Sequence, residues 1–199
     1  MFIPKLREHK TLLMVAMALL AWLALPACSV SVKDHDKSGN SKVDIDTPFG
    51  GIHVNEDADV RDTGLEVYPG ARLKPKTSDE DTKSANVNIS SGVFGLKVVA
   101  VEYESDDAPA KILTFYREQL KKYGGVVECH SDRQAGDLHM KAGEQKPKPV
   151  NCEGNNSGNV IELKTGTEEN QHIVSVEPQG KGSDFSLVYI RTRGKQGSI

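Results

Sequence analysis

Aromatic residues are scarce in this sequence, 6% of 199 positions, and cysteine is rarer still, with three. Large aromatic side chains carry much of the burial in ordinary domains. With few of them and a hydrophobic share of 37%, the chain has apolar material for one small core, and long polar stretches are expected outside it. Concentrated positive charge is missing as well: 25 basic and 28 acidic side chains give a formal net charge of −3. Binding to a phosphate backbone needs a basic face, so nucleic acid is not expected as a partner. The familiar catalytic and cofactor signatures are also lacking. No His-Glu-x-x-His, Gly-x-Ser-x-Gly, Walker loop, Cys-x-x-Cys or haem-attachment motif occurs. The six histidines (His9, His35, His53, His130, His139 and His172) are scattered, most of them in polar segments. A Ser/His/Asp set can assemble in space from any chain order, but nothing in the sequence nominates one. The expectation is a protein without enzymatic activity and without a cofactor.

What is present begins at the N-terminus. Lys5, Arg7 and Lys10 precede a run of 14 apolar residues, Leu12 to Leu25. A spanning helix needs about 20 such residues, so a retained membrane span is disfavoured, and cations followed by a short apolar run match a secretory signal. The run closes with Leu25-Pro26-Ala27-Cys28. That segment resembles the signal end of bacterial lipoprotein precursors, in which a small residue precedes an obligatory cysteine. Pro26 departs from the small or aliphatic residue usual at its position, and the resemblance covers the signal region alone. It implies cleavage before Cys28, a diacylglycerol on the Cys28 thiol and acylation of the new N-terminus. The protein would then be anchored by lipid in the cell envelope, its domain facing periplasm or exterior. An ordinary signal-peptidase cut, using Ala27 and Ser29 as the small residues, would instead give a soluble secreted product. Removal of residues 1–27 takes away three cations and Glu8 and leaves 22 basic and 27 acidic side chains.

Residues 28–62 are polar and rich in Asp, Ser and Gly. Such composition buries too little apolar surface to offset chain entropy, and a flexible tether is expected there. Two alternating patches, Val43/Ile45 and Ile52/Val54, could form a small hairpin or an edge strand. A small domain is expected over 63–194, with 195–199 a disordered tail. Pro69-Gly70 suits a type II turn. Val93 to Tyr103 alternates as a strand, apolar on both faces at its start, which suits a central place in a sheet. The spacing of Ile112, Tyr116, Leu120 and Tyr123 predicts a helix from about Asp107 to Tyr123. Asp106 or Asp107 would cap it, Pro109 would sit in its first turn, and Gly124-Gly125 would stop it. Strand patterns resume at 126–129, 160–164, 172–176 and 185–192. Strands, one helix, then strands predict an α+β fold: a mainly antiparallel sheet of about five to seven strands, with one long helix packed on a face. No repeat of useful length occurs, although Phe49-Gly50-Gly51-Ile52 faintly echoes Phe94-Gly95-Leu96.

The cysteines divide by position. Export would place Cys129 and Cys152 where disulfides persist, and a bridge between them is expected around a polar loop. Cys28 is then left over for lipid, because one of three cannot pair within the chain. A zinc site from Cys129, His130, His139 and Cys152 is the sharper alternative. Adjacent Cys129 and His130 would point to opposite faces of a strand, which speaks against it. Asp34, Asp36, Ser38 and Asn40, with Gly39, look like the first half of an EF-hand loop, but Ile45 stands where a bidentate Glu is required. That quartet is a weak metal candidate beside the plainer reading as solvated tether. The expected function is a lipid-anchored envelope module that interacts or binds without catalysis, its partners being the membrane through Cys28 and other envelope proteins. A metal- or small-ligand-binding envelope protein, or an envelope hydrolase, is the alternative.

Overall fold

The computed structural model describes residues 29–33, 42–75, 84–132, 147–152, 154 and 156–194. At its centre lies strand β6 (Gly95–Ser105), whose alternation puts Val99, Val101 and Tyr103 on one face, all buried. On one side β6 pairs with β5 (Ser84–Ser91), and on the other with β10 (Gly182–Arg193). The remaining strands are β1 (Ser29–Lys33), β2 (Lys42–Thr47), β3 (Gly50–Asn55), β4 (Arg72–Leu73), β7 (Val126–Ser131), β8 (Val160–Thr167) and β9 (Asn170–Gln179). They make one ten-stranded sheet in the order β1-β2-β3-β5-β6-β10-β9-β8-β7, with the short β4 also paired to β6. Every neighbouring pair is antiparallel. The α+β expectation of a mainly antiparallel sheet with one helix holds, but ten strands exceed the expected five to seven.

Much of the excess comes from the stretch expected as tether. Within residues 28–62, β1, β2 and β3 all join the sheet, and β1 begins at Ser29. Each patch has only two apolar side chains, too few to bury alone. Antiparallel pairing sets Val43 against Val54 and Ile45 against Ile52, and then Val54 against Val87 and Ile52 against Ile89. The pooled cross-strand contacts and the satisfied backbone ladder supply what each patch lacks.

Helix α1 (Pro109–Leu120) is followed by a tighter turn over Lys121–Tyr123. Pro109 occupies the first helical position as expected, but the cap is Ala108, which has no side-chain bond to give. Asp106 pairs with Arg72 instead, and Asp107 accepts from the Tyr68 hydroxyl at 2.8 Å and the Lys111 ammonium at 2.6 Å. The helix carries the chain from central β6 to β7 at the far edge, a crossover that two parallel strands require. Its face of Ile112, Leu113, Tyr116 and Leu120 packs over β8 and β9. The same side of β6 and β10 is covered by a turn at Val60–Thr63 and by Leu65. Here Phe185 stacks on Tyr103 at 5.5 Å and meets Tyr116 at 5.7 Å. The buried Tyr116 hydroxyl accepts the Tyr68 N–H at 3.0 Å. Gly64 ends the Val60–Thr63 turn at φ 73°, and a Cβ there would run into the Tyr123 hydroxyl, which donates to the Gly64 carbonyl at 2.6 Å.

Candidate functional site: an apolar sheet face

The sheet face turned away from α1 carries a second group of apolar side chains, separate from the core under the helix. The cross-strand register writes it out as rows. One row runs Ile45, Ile52, Ile89, Leu96; a second runs Val43, Val54, Val87, Val98, Ile190; a third runs Ala85, Ala100, Val188, Ile173. Leu96, Ile173, Val188 and Ile190 are buried, whereas Val43, Ile45, Val54, Val87, Ile89 and Val98 keep part of their surface in solvent, and Ile52 is 39% exposed. Its section over β2, β3 and β5 is thus a contiguous, part-exposed apolar surface, and such a surface marks an interaction site more often than an accident of composition.

Polar groups frame it unevenly. Toward β8 it ends at the Glu162–Lys164 ion pair, 2.9 Å apart. Toward the end of the sheet where β6 finishes it ends at Glu102 and Ser186, then Glu104 and Asp184, with Asp184 held by Lys74 at 2.7 Å. At the opposite end, where β6 begins, the next row is Thr47, Gly50 and Ser91, small and uncharged, and Thr192 lies beside Leu96. The isoleucine row leads there to two hairpin turns, whose residues Phe49 and Val93 are 80% and 76% exposed. The reverse side of the same strands is polar. His53 Nδ1 lies 3.0 Å from Asp44, and Lys42 reaches the same carboxylate at 3.0 Å. The hydrogen bond to His53, then that to Lys42, holds the Asp44 carboxyl below the usual carboxylate range.

A second concavity, of about 650 Å³, lies beside the first half of α1 and is lined by Tyr68, Pro69, Asp107, Ala110, Lys111, Thr114 and Phe115. Tyr68 and Phe115 meet there edge to face at 5.2 Å. Burial, then the bond to Asp107, pushes the Tyr68 hydroxyl up; Lys111, then Tyr68, holds Asp107 low; Asp107 in turn raises Lys111. His172 is buried elsewhere, stacked on Tyr123 at 3.7 Å and tilted against Tyr189 at 4.9 Å. Its Nδ1–H donates to the Thr63 carbonyl at 2.9 Å, and burial lowers its pKa. It fastens the turn at Val60–Thr63 to the sheet.

The residues expected from sequence are distributed as follows. Cys129 and Cys152 are joined, their Cα atoms 5.3 Å apart across a sequence separation of 23. That bond removes both thiolates from the zinc alternative. His130 faces the other side of β7 from Cys129, and His139 lies outside the described residues. Cys28 and the quartet Asp34, Asp36, Ser38 and Asn40 also lie outside them. Among the described residues, no three His, Cys, Asp or Glu side chains gather to hold a metal ion, and no helix is long and apolar enough to cross a membrane. Sequence reasoning missed Phe49 and Val93. The available signal was a bulky apolar residue set into a turn beside glycine, where small and polar residues are usual.

Compared with protein-family models, curated proteins and solved structures, the chain matches none of them.

Proposed function

We propose that the chain is a lipid-anchored module of the cell envelope that works by contact and not by catalysis. One observation carries the reading. Cys129 and Cys152 are bonded to each other, which leaves Cys28, at the end of an export-type apolar run, as the single cysteine free for acylation. A structural disulfide also suits an oxidising compartment. The part-exposed apolar strip over β2, β3 and β5 and the turns beside it give the module a surface for contact.

Intact mass of the protein extracted from membranes tests this. The expected mass lacks residues 1–27, carries acyl chains on Cys28 and is two hydrogens lighter for the Cys129–Cys152 bond. A cytosolic protein that retains Met1 would overturn the reading. A second reading, an envelope binder of a small ligand, is favoured by the concavity, whose aromatic walls and paired charges suit a compact polar guest. Calorimetric titration with calcium tests its metal version at Asp34, Asp36, Ser38 and Asn40, and an absence of heat above buffer would end that version.

A further inference from the structure

We propose that the hairpin turns at Phe49 and Val93 form a membrane seat, through which the domain stands end-on against the lipid bilayer beside its own acyl anchor. The inference rests on the lipid anchoring proposed above. Three features meet at one end of the sheet. The chain enters β1 at Ser29, the residue after Cys28, and Ser29 pairs with Asp46 near the end of β2. Thr47 pairs with Gly50, so Pro48 and Phe49 form the β2–β3 turn itself, and Phe49 lies at most about 7 Å beyond the level of Ser29, two rises of roughly 3.3 Å. In the adjoining hairpin Gly50 pairs with Ser91, and the β5–β6 turn that follows carries Val93. Any acyl chains on Cys28 would therefore leave the domain at the end where the two most exposed large apolar side chains among the described residues project.

That coincidence is what a membrane contact requires. Two acyl chains already hold a protein to a bilayer, so the turns need not supply affinity; they fix orientation. Phe and Val at the tips can enter the interface while the polar rims of the strands stay in water. Behind them a small uncharged row of Thr47, Gly50 and Ser91 separates the turns from the isoleucine row. Charge at this end is mixed: Arg191 and Arg193 close β10, while Glu168 and Glu169 form the neighbouring β8–β9 turn. Contact is thus expected on zwitterionic lipid, with no need for an anionic headgroup. A protein partner at the same turns is the competing occupant, and the test separates the two.

The one tryptophan of the sequence, Trp22, precedes Cys28, so the processed chain has no indole of its own. Phe49→Trp and, separately, Val93→Trp would each give the full-length protein, expressed and processed in its envelope, a single reporter. Lys181→Trp, in the exposed turn at the other end of the sheet, is the comparison. Each purified protein is checked by intact mass and reconstituted in phosphatidylcholine vesicles with brominated acyl chains. The seat predicts a blue-shifted emission and loss of most of the intensity to bromine for the two tip variants, and water-like, unquenched emission for Lys181→Trp. If the masses show acyl chains but the tip indoles emit as in water, the seat is wrong and the anchor stands; a protein partner would then be the better occupant. If the masses show no acyl chains, the anchoring reading fails and takes the seat with it.

Discussion

His172 shows how one buried side chain ties pH to stability. Its ring is 7% exposed, flanked by Tyr123 and Tyr189, and its Nδ1–H is committed to the Thr63 carbonyl. Burial, against the partial support of that bond, lowers its folded pKa below the ordinary 6.5. Between the folded and unfolded values the unfolded chain takes up a proton that the folded chain refuses, so stability rises with pH across that window. The contribution of His172 is complete above about pH 6.5, declines as pH falls toward the folded value, and is level below it. Urea unfolding at pH 7.5, 6.5 and 5.5 should show this decline in the natural protein and a smaller one in His172→Gln. Equal slopes in both would show that another group is responsible. The histidine was visible in the sequence. Its burial was not, because Thr63 is more than a hundred residues away in the chain and only the fold brings the two together.

Elements whose own side chains reported their environment were legible from sequence. Helix α1 showed an apolar stripe at 112, 116 and 120, and the long strands β6, β9 and β10 alternate over several residues each. The disulfide followed from cysteine parity and compartment. Strand β1 was not legible as sheet, and β2 and β3 only as one of two options, because two apolar residues in a polar stretch satisfy the composition of a tether as well as that of a strand. What distinguishes them is the register with β5, a relation between segments. The apolar face opposite α1 is hidden for the same reason: its rows run across strands and never along the chain. The Cys129–Cys152 bond belongs to this scale too, since it closes the long β7–β8 connection at its base. Restricting an unfolded loop of this size is worth roughly 3 kcal/mol in the entropy model. Replacing both cysteines by serine should therefore lower unfolding free energy by about that amount. A loss under about 1 kcal/mol in chemical denaturation would mean that the connection is held by other contacts.

Taken whole, the molecule has two unlike ends. The Phe49 and Val93 turns occupy one, and the concavity beside Tyr68 and Asp107 lies toward the other, near the start of α1. A domain seated on the first end would hold that concavity out toward the aqueous space of the envelope. The strand order adds a further property. β10, the last strand in the chain, lies between β6 and β9 and pairs with both along nearly its whole length. Truncation after Gln179 removes it and leaves two long interior strands with bare edges, which invite intermolecular pairing. The truncated chain should be insoluble or aggregated by size-exclusion chromatography, and a monomeric, protected product would contradict the central role given to β10. For a chain exported as proposed above, the same placement would matter in transit. The middle of the sheet cannot knit until β10 (Gly182–Arg193) is free to slot in, so the polypeptide would stay threadable while it crosses. The tertiary structure would set only on the far side, with β10 as the keystone.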